Sequence, residues 1–427
     1  MADHELTTLP TGERVITETI PGVRSVALGF WVGAGSRNEP ETKAGVSHFI
    51  EHLLFKGSSR YSAQQIAEIF DTLGGELNAA TSRETTVVYA RVPDERLETA
   101  LDVMADMVFE PAFAEVDAER EVVLEEIAMV EDNPQDLVHD IVAEAVFGGH
   151  PLGRPVIGRA DVISGVSRRA IAAYHRGAYV GSNIVVAAAG NLEHGRLVEL
   201  LAERRSGPEQ PLRLARKPFS RAPGPGMRFQ KKPTEQYHVC LGARGVSRSD
   251  DRRFAASLLD AIVGGSASSR LFQEIREKRG MAYAVYSFGS QYSDSGQIGV
   301  YIGTREENLG ACLEIAAEQL VDVAAGNFRP DELERAKENL KGRLLLSLES
   351  TSNRMSRLGK SLVTGGELLS TEQVVERIEA VEPDEIAALA AELLAPEGLS
   401  AAAIGPSEKR FHAAVRNVNP TLLARAA

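Results

Sequence analysis

The order of elements in this chain is written twice, and that duplication limits it to two similar halves, each closing its own core. Between residues 206 and 232 the sequence turns rich in Pro, Gly, Arg and Lys, with Arg221-Ala222-Pro223-Gly224-Pro225-Gly226 near the middle, the composition of an interdomain linker. Before it, Arg14 to Arg37 reads as an apolar hairpin, followed by a helix, paired strands over Gly74 to Val92, long helices, and a strand at Asn183 to Ala187. After it the same order returns: a strand at Tyr237 to Leu241, a helix around Ala256 to Val263, strands through Tyr301, and helices from Pro330 onward. The expected fold class is α+β, two homologous repeats of a mostly antiparallel sheet covered by helices, with domains at 1–205 and 233–427 joined by the 206–232 linker.

The chemistry concentrates in His48-Phe49-Ile50-Glu51-His52. On a helix His48 and His52 project from one face one turn apart and can share a Zn²⁺, with Glu51 beside them. With 9 His among 427 residues, such a string is expected by chance about 0.03 times. Val46, Phe49, Ile50, Leu53, Leu54 and Phe55 make this helix apolar nearly all round, so it is expected to be buried. Three ionisable side chains in one sector of a buried helix need partners, and a divalent cation supplies one.

A third ligand is expected from Glu115 to Glu131, which reads as a single helix. Steps of 100° place Val122, Val123, Ile127 and Val130 on one face, and Glu119 and Glu126 share it, while Glu121 and Glu125 point away. Carboxylates within a core-facing stripe are costly without a cation or donors, which selects Glu126 over Glu125. Periodicity leaves open which of Glu119 and Glu126 touches the metal.

The second half keeps the pattern without the ligands. Aligning His52-Leu53-Leu54-Phe55-Lys56-Gly57 with Asp260-Ala261-Ile262-Val263-Gly264-Gly265 puts Ala256 and Asp260 at the histidine positions and Leu259 at that of Glu51. Aligning Glu119-Arg120 with Glu334-Arg335 puts Lys341 opposite Glu126. Only the first half is expected to be catalytic.

Composition excludes several alternatives. A net charge of −13 argues against nucleic-acid binding and favours cationic substrates. No apolar run is long enough to span a membrane, and Met1-Ala2-Asp3-His4-Glu5 lacks the basic and apolar regions of a signal peptide, so the expected location is the cytoplasm. Cys240 and Cys312 stand far apart outside any CxxC pairing, which excludes a disulfide framework and a cysteine zinc site.

The chain resembles the inverzincin M16 peptidase family of the pitrilysin clan, in the short-chain branch similar to the β subunit of mitochondrial processing peptidase and its bacterial relatives. The family's HxxEH pattern and the Glu-x₆-Glu after it are matched by His48 to His52 and by Glu119 and Glu126. Further matches are Leu77-Asn78-Ala79-Ala80-Thr81-Ser82-Arg83-Glu84, Gly149-His150-Pro151-Leu152-Gly153-Arg154-Pro155, and Ser269-Arg270-Leu271-Phe272 running on to Tyr283. The resemblance implies a zinc metalloendopeptidase with one Zn²⁺ per chain held by His48, His52 and Glu126, Glu51 as general base, and Glu119 as a supporting carboxylate. It also implies peptide substrates, which the sequence supports where Asn78 to Thr81 fall at the edge of a strand-like segment whose open side can pair with an extended backbone, Asn78 and Ala79 binding the substrate. Arg276 and Tyr283 match residues that approach the substrate and the developing oxyanion, and Asp136 and Asp140 match acidic positions that receive a substrate arginine. The family's dimers set a catalytic domain opposite a partner's inactive-type domain, so the expected assembly is a homodimer, or a heterodimer with a related inactive chain. The alternative functions are a non-catalytic structural or partner subunit, which usually loses the motif, and a lyase of the S-ribosylhomocysteine type, which is much shorter and uses a cysteine ligand.

Overall fold

The computed structural model describes residues 4–205, 208–214, 216–219 and 224–426. Much of the expected linker is thereby described, although Arg221, Ala222 and Pro223 at its centre lie outside the described residues.

Among the described residues eleven strands form two sheets: β1 (Glu5–Thr8), β2 (Arg14–Thr19), β3 (Ser25–Val32), β4 (Glu76–Thr81), β5 (Thr86–Pro93) and β6 (Ile184–Gly190) in the first, and β7 (Met227–Lys231), β8 (Tyr237–Gly245), β9 (Ala282–Gln291), β10 (Gly296–Thr304) and β11 (Ser400–Gly405) in the second. The strand orders are β1-β2-β6-β3-β5-β4 and β7-β11-β8-β10-β9. Apart from the extra β1 they are the same topology. Each has one parallel pair, β2 with β6 and β7 with β11, and antiparallel pairing elsewhere.

The expected hairpin from Arg14 to Arg37 does not form, because β6 lies between β2 and β3 and pairs with both. The reason lies in β6 itself. Its sequence Ile-Val-Val-Ala-Ala-Ala-Gly is buried along its whole length, and a strand apolar on both faces belongs inside a sheet rather than at its edge. In the second sheet β11, Ser-Ala-Ala-Ala-Ile-Gly, is buried throughout and occupies the corresponding place between β7 and β8.

The helices include α1 (Val46–Leu54), α2 (Val116–Asp132), α3 (Pro134–Phe147), α4 (Arg168–Ala178), α5 (Arg253–Val263), α6 (Glu332–Ser347) and α7 (Thr351–Val363), and α1 and α2 carry the candidate metal site. The chain divides into two compact units, Met1–Ala128 with Pro155–Lys217 and Leu345–Ser370, and Met129–Arg154 with Pro218–Leu344 and Thr371–Ala427. Each unit therefore takes one helix from across the linker. In the first, α7 covers the outer face of the sheet, where Met355 and Leu358 pack with Ile16, Ala27, Trp31, Val87, Val185, Ala187 and Ala189. Its Gly359 is placed for this contact, since a Cβ there would lie 2.2 Å from Trp31 Nε1. In the second, α3 plays the same part, with Val138, Val142 and Val146 against Cys240, Tyr301, Ala402 and Ile404. Both cysteines are buried and unpaired.

α2 and α6 open alike, each preceded by a residue in the left-handed region, Glu115 at φ 55 and Asp331 at φ 59. Their carbonyls accept from the N–H of Glu119 and Arg335, at 2.9 and 3.0 Å. Counted from these residues, Gly342 rather than Lys341 stands opposite Glu126. The sequence alignment slips by one residue here, and neither register supplies a carboxylate.

Among the described residues, no helix is long and apolar enough to cross a membrane.

Candidate metal centre

α1 is fixed at its start by a buried carboxylate. Gly45 sits at φ 96, and a Cβ there would come within 2.7 Å of Gly158 Cα and of Ile157 O. The N–H groups of Gly45 and Ser47 donate to Glu39 Oε2 and Oε1, both at 2.7 Å, which satisfies two orphan donors of the first turn and sets an anion at the positive end of the helix. Val46, Phe49, Ile50, Leu53 and Leu54 then enter the core of the first unit. His48, Glu51 and His52 are left half-buried on the remaining face.

α2 faces them. Its buried residues are Val116, Glu119, Val123 and Ile127, a narrower stripe than expected, and Val122 is 49% exposed. Glu119 is 5% exposed, while Glu126, two turns further on, reaches the rim of the cleft. His48 Nε2 and His52 Nε2 lie 3.3 Å apart. Glu126 Oε2 is 3.5 Å from the first and 3.2 Å from the second. Ligand atoms about 2.0–2.1 Å from a tetrahedral zinc are about 3.3 Å from one another, so this triangle has the edge of a zinc coordination sphere. Among the described residues it is the one group of three His, Cys, Asp or Glu side chains close enough to hold a metal ion.

The surrounding groups agree with a cation at the centre of that triangle. Burial, and then the neighbouring His52, lower the His48 pKa to about 4, so its imidazole is neutral and offers Nε2 as a lone-pair donor. His52 is oriented from behind, since its Nδ1 lies 2.9 Å from Glu119 Oε1. Glu119 Oε2 in turn meets Lys56 Nζ at 2.7 Å. Burial raises the Glu51 carboxyl above its usual range, partly offset by hydrogen bonds from the Thr81 side chain and backbone. Glu51 Oε2 is buried and has no hydrogen-bond partner.

Thr81 ends β4, which is an edge strand of the first sheet. Asn78 and Ala79 lie on the same strand, paired with Tyr89 and Val88 of β5 and, among the described residues, with no strand on the other side. Sequence alone places Thr81 only at the strand edge, without its link to Glu51, and does not single out Glu39 or Lys56. Glu39 could have been found as an acid shortly before a helix start, whereas Lys56 carries no such signal.

The other expected site residues belong to the second unit. Arg276 sits on a π-helix, Phe272–Glu277, with its guanidinium 4.6 Å from the Phe272 ring and 4.8 Å from the Tyr283 ring. Tyr283 is 78% exposed. Asp136 lies in the first turn of α3, accepting from Asn133 Nδ2 at 2.5 Å, and Asp140 follows one turn later.

Comparison with known proteins gives consistent matches. A family model described as Insulinase (Peptidase family M16) matches residues 14–160, and one described as Peptidase M16 inactive domain matches residues 165–340. An uncharacterized zinc protease of Streptomyces coelicolor is 43% identical over 424 residues, covering 96% of this chain and 92% of the relative. The uncharacterized zinc protease YmxG of Bacillus subtilis is 39% identical over 410 residues, covering 94% and 98%. In fold alone, the chain is similar to a protease from Helicobacter pylori, with a TM-score of 0.88 at 22% identity over 94% of this chain and 99% of that one.

Proposed function

The chain belongs to the M16 peptidase family, and from that premise we propose that it is a zinc-dependent endopeptidase cutting short, extended or unfolded peptides, with a preference for basic, presequence-like ones. The observation that carries this reading is the triangle of His48 Nε2, His52 Nε2 and Glu126 Oε2 next to an unpartnered Glu51 oxygen. A single Zn²⁺ held by those three residues would supply Lewis acidity and a water acidified to near neutrality.

The remaining chemistry belongs to the chain. Glu51 Oε2 is the acceptor for the proton of the attacking water, and its raised proton affinity suits it to return that proton to the leaving amine. Thr81 holds the other side of this carboxylate, so the base is anchored to β4. The open edge of β4 at Asn78 and Ala79 pairs with the backbone of an extended substrate, which selects for unfolded segments over folded ones. Arg276 and Tyr283 act on the substrate and the developing oxyanion as cation and phenol donor, in trans within a dimer. Asp136 and Asp140 receive a substrate arginine. The dimer is a homodimer or pairs this chain with a related inactive one, and the enzyme works in the cytoplasm.

Zinc content and cleavage of internally quenched peptides, one with arginine and one of equal length without, test the reading in wild type and Glu51→Gln. Wild type is expected to hold one zinc and to prefer the arginine peptide, and the variant to keep zinc while losing about 10²–10⁴ in rate. A Glu51→Gln rate within tenfold of wild type would remove the base assignment, and equal rates on both peptides the basic preference. Zinc binding without any hydrolysis would return the chain to the role of a partner subunit.

A further inference from the structure

Lys56 Nζ lies 2.7 Å from Glu119 Oε2, and its geometry goes beyond that of a solvated surface lysine. We propose that Lys56 is a positioning residue of the metal centre, fixing the ring of His52 through the buried carboxylate of Glu119. This inference rests on the zinc reading of the site.

The placement begins in the backbone. The N–H of Lys56 bonds to Leu53 O at 3.1 Å, closing the end of α1, and Gly57 at φ 111 then turns the chain away. Lys56 therefore stands one helical turn beyond His52, the spacing at which side chains on one face meet a common partner. That partner is Glu119. Its Oε2 lies 2.7 Å from Lys56 Nζ and its Oε1 lies 2.9 Å from His52 Nδ1, so the two oxygens are divided between the ammonium and the imidazole.

Burial makes the division matter. The Glu119 side chain is 6% exposed and that of Lys56 is 32% exposed, so the carboxylate has little water to replace a lost partner. With Oε2 tied to Lys56, Oε1 is held where it accepts the Nδ1 proton of His52. That contact fixes the tautomer with the Nε2 lone pair facing His48 and Glu126. Without Lys56, Glu119 can rotate toward solvent, and the ring loses the contact that aims it. Lys56 also brings positive charge to a cleft holding Glu51, Glu119 and Glu126, which limits the repulsion among three carboxylates gathered for one divalent ion.

The test is zinc affinity of the substrate-free protein, measured by competition with a chromogenic chelator. Lys56→Met keeps the stem and removes the charge, and is expected to weaken zinc binding about tenfold or more, within the 10–100-fold range typical of groups that orient a ligand. Lys56→Arg, which keeps a cation within reach, is expected to stay within about threefold of wild type. The decisive arm repeats Lys56→Met in a Glu119→Ala background, where less than about a twofold further change is expected because the route to His52 is already cut. Should the Met variant fail to fold, Lys56→Gln gives the same comparison. Unchanged affinity in Lys56→Met, or equal losses with and without Glu119, would overturn the proposal while leaving the zinc site standing. A wild type that binds no zinc would overturn both.

Discussion

The two compact units carry the same sheet and differ where it counts. α1 in the first and α5 in the second hold corresponding places in the repeat, yet His48, Glu51 and His52 of the one answer to Ala256, Leu259 and Asp260 of the other. The sheet order, the parallel pair and the helix over the outer face persist in both. The fold therefore does not need these three side chains, and their presence in the first unit calls for a reason other than packing. Burial acts on both sites in the same sense. It lowers the base at His48 and raises the acid at Asp260, in each case favouring the uncharged form.

The comparison is broken most severely by writing the second unit's residues into the first. His48→Ala with His52→Asp is expected to abolish tight zinc binding and lower peptide cleavage by at least about 10³-fold, while the far-ultraviolet dichroism stays that of wild type. Retained zinc would show that the metal sits elsewhere.

A smaller effect distinguishes the two outer helices. At Gly359 an added methyl would meet the Trp31 ring at 2.2 and 2.3 Å, whereas at Gly242 it would meet the Val142 side chain at 2.9 Å, a methyl that can give way. Gly359→Ala is expected to cost about 2 kcal/mol and Gly242→Ala about 1 kcal/mol or less. Urea unfolding curves measure both, and the reverse ranking would mean that α7 docks more loosely than α3.

The smallest expected effect concerns Asp260, whose Oδ1 is buried without a hydrogen-bond partner. Since burial raises its carboxyl above the ordinary value of 3.8, the folded chain binds this proton more tightly than the unfolded one. The associated stability is full at acid pH and is lost as pH rises through the folded value. Asp260→Asn is expected to raise the melting temperature at neutral pH, by a margin that shrinks as pH falls toward 4. A margin independent of pH would place the effect outside this carboxyl.

Much of the site was legible before any coordinates. The spacing of His48, Glu51 and His52 puts them on one helix face, and the stripe containing Glu119 and Glu126 marks two acids that cannot both be ordinary surface charges. What periodicity could not convey was partnership. It indicates that Val138 and Val142 of α3 face something apolar, but not that the sheet they cover belongs largely to the other half of the sequence. The strand order was hidden for a related reason: β6 is apolar on both faces, which calls for a central position without naming its neighbours. Val122 was misplaced because a 100° step assigns it to the edge of the stripe, and the actual contact is narrower. Lys56 was overlooked because a lysine after a helix end ordinarily points into water.

The trade of α3 and α7 across the linker bears on how the protein is made. During synthesis, the first sheet is complete once Gly190 has emerged, but the helix that covers its outer face ends only at Val363, near the end of the chain. The N-terminal unit therefore cannot finish folding ahead of its twin, and apolar surface around Trp31 must wait for most of the second half to be translated. For the same reason, a protease that nicks the linker does not release two self-sufficient domains: each fragment would leave with a helix that the other requires.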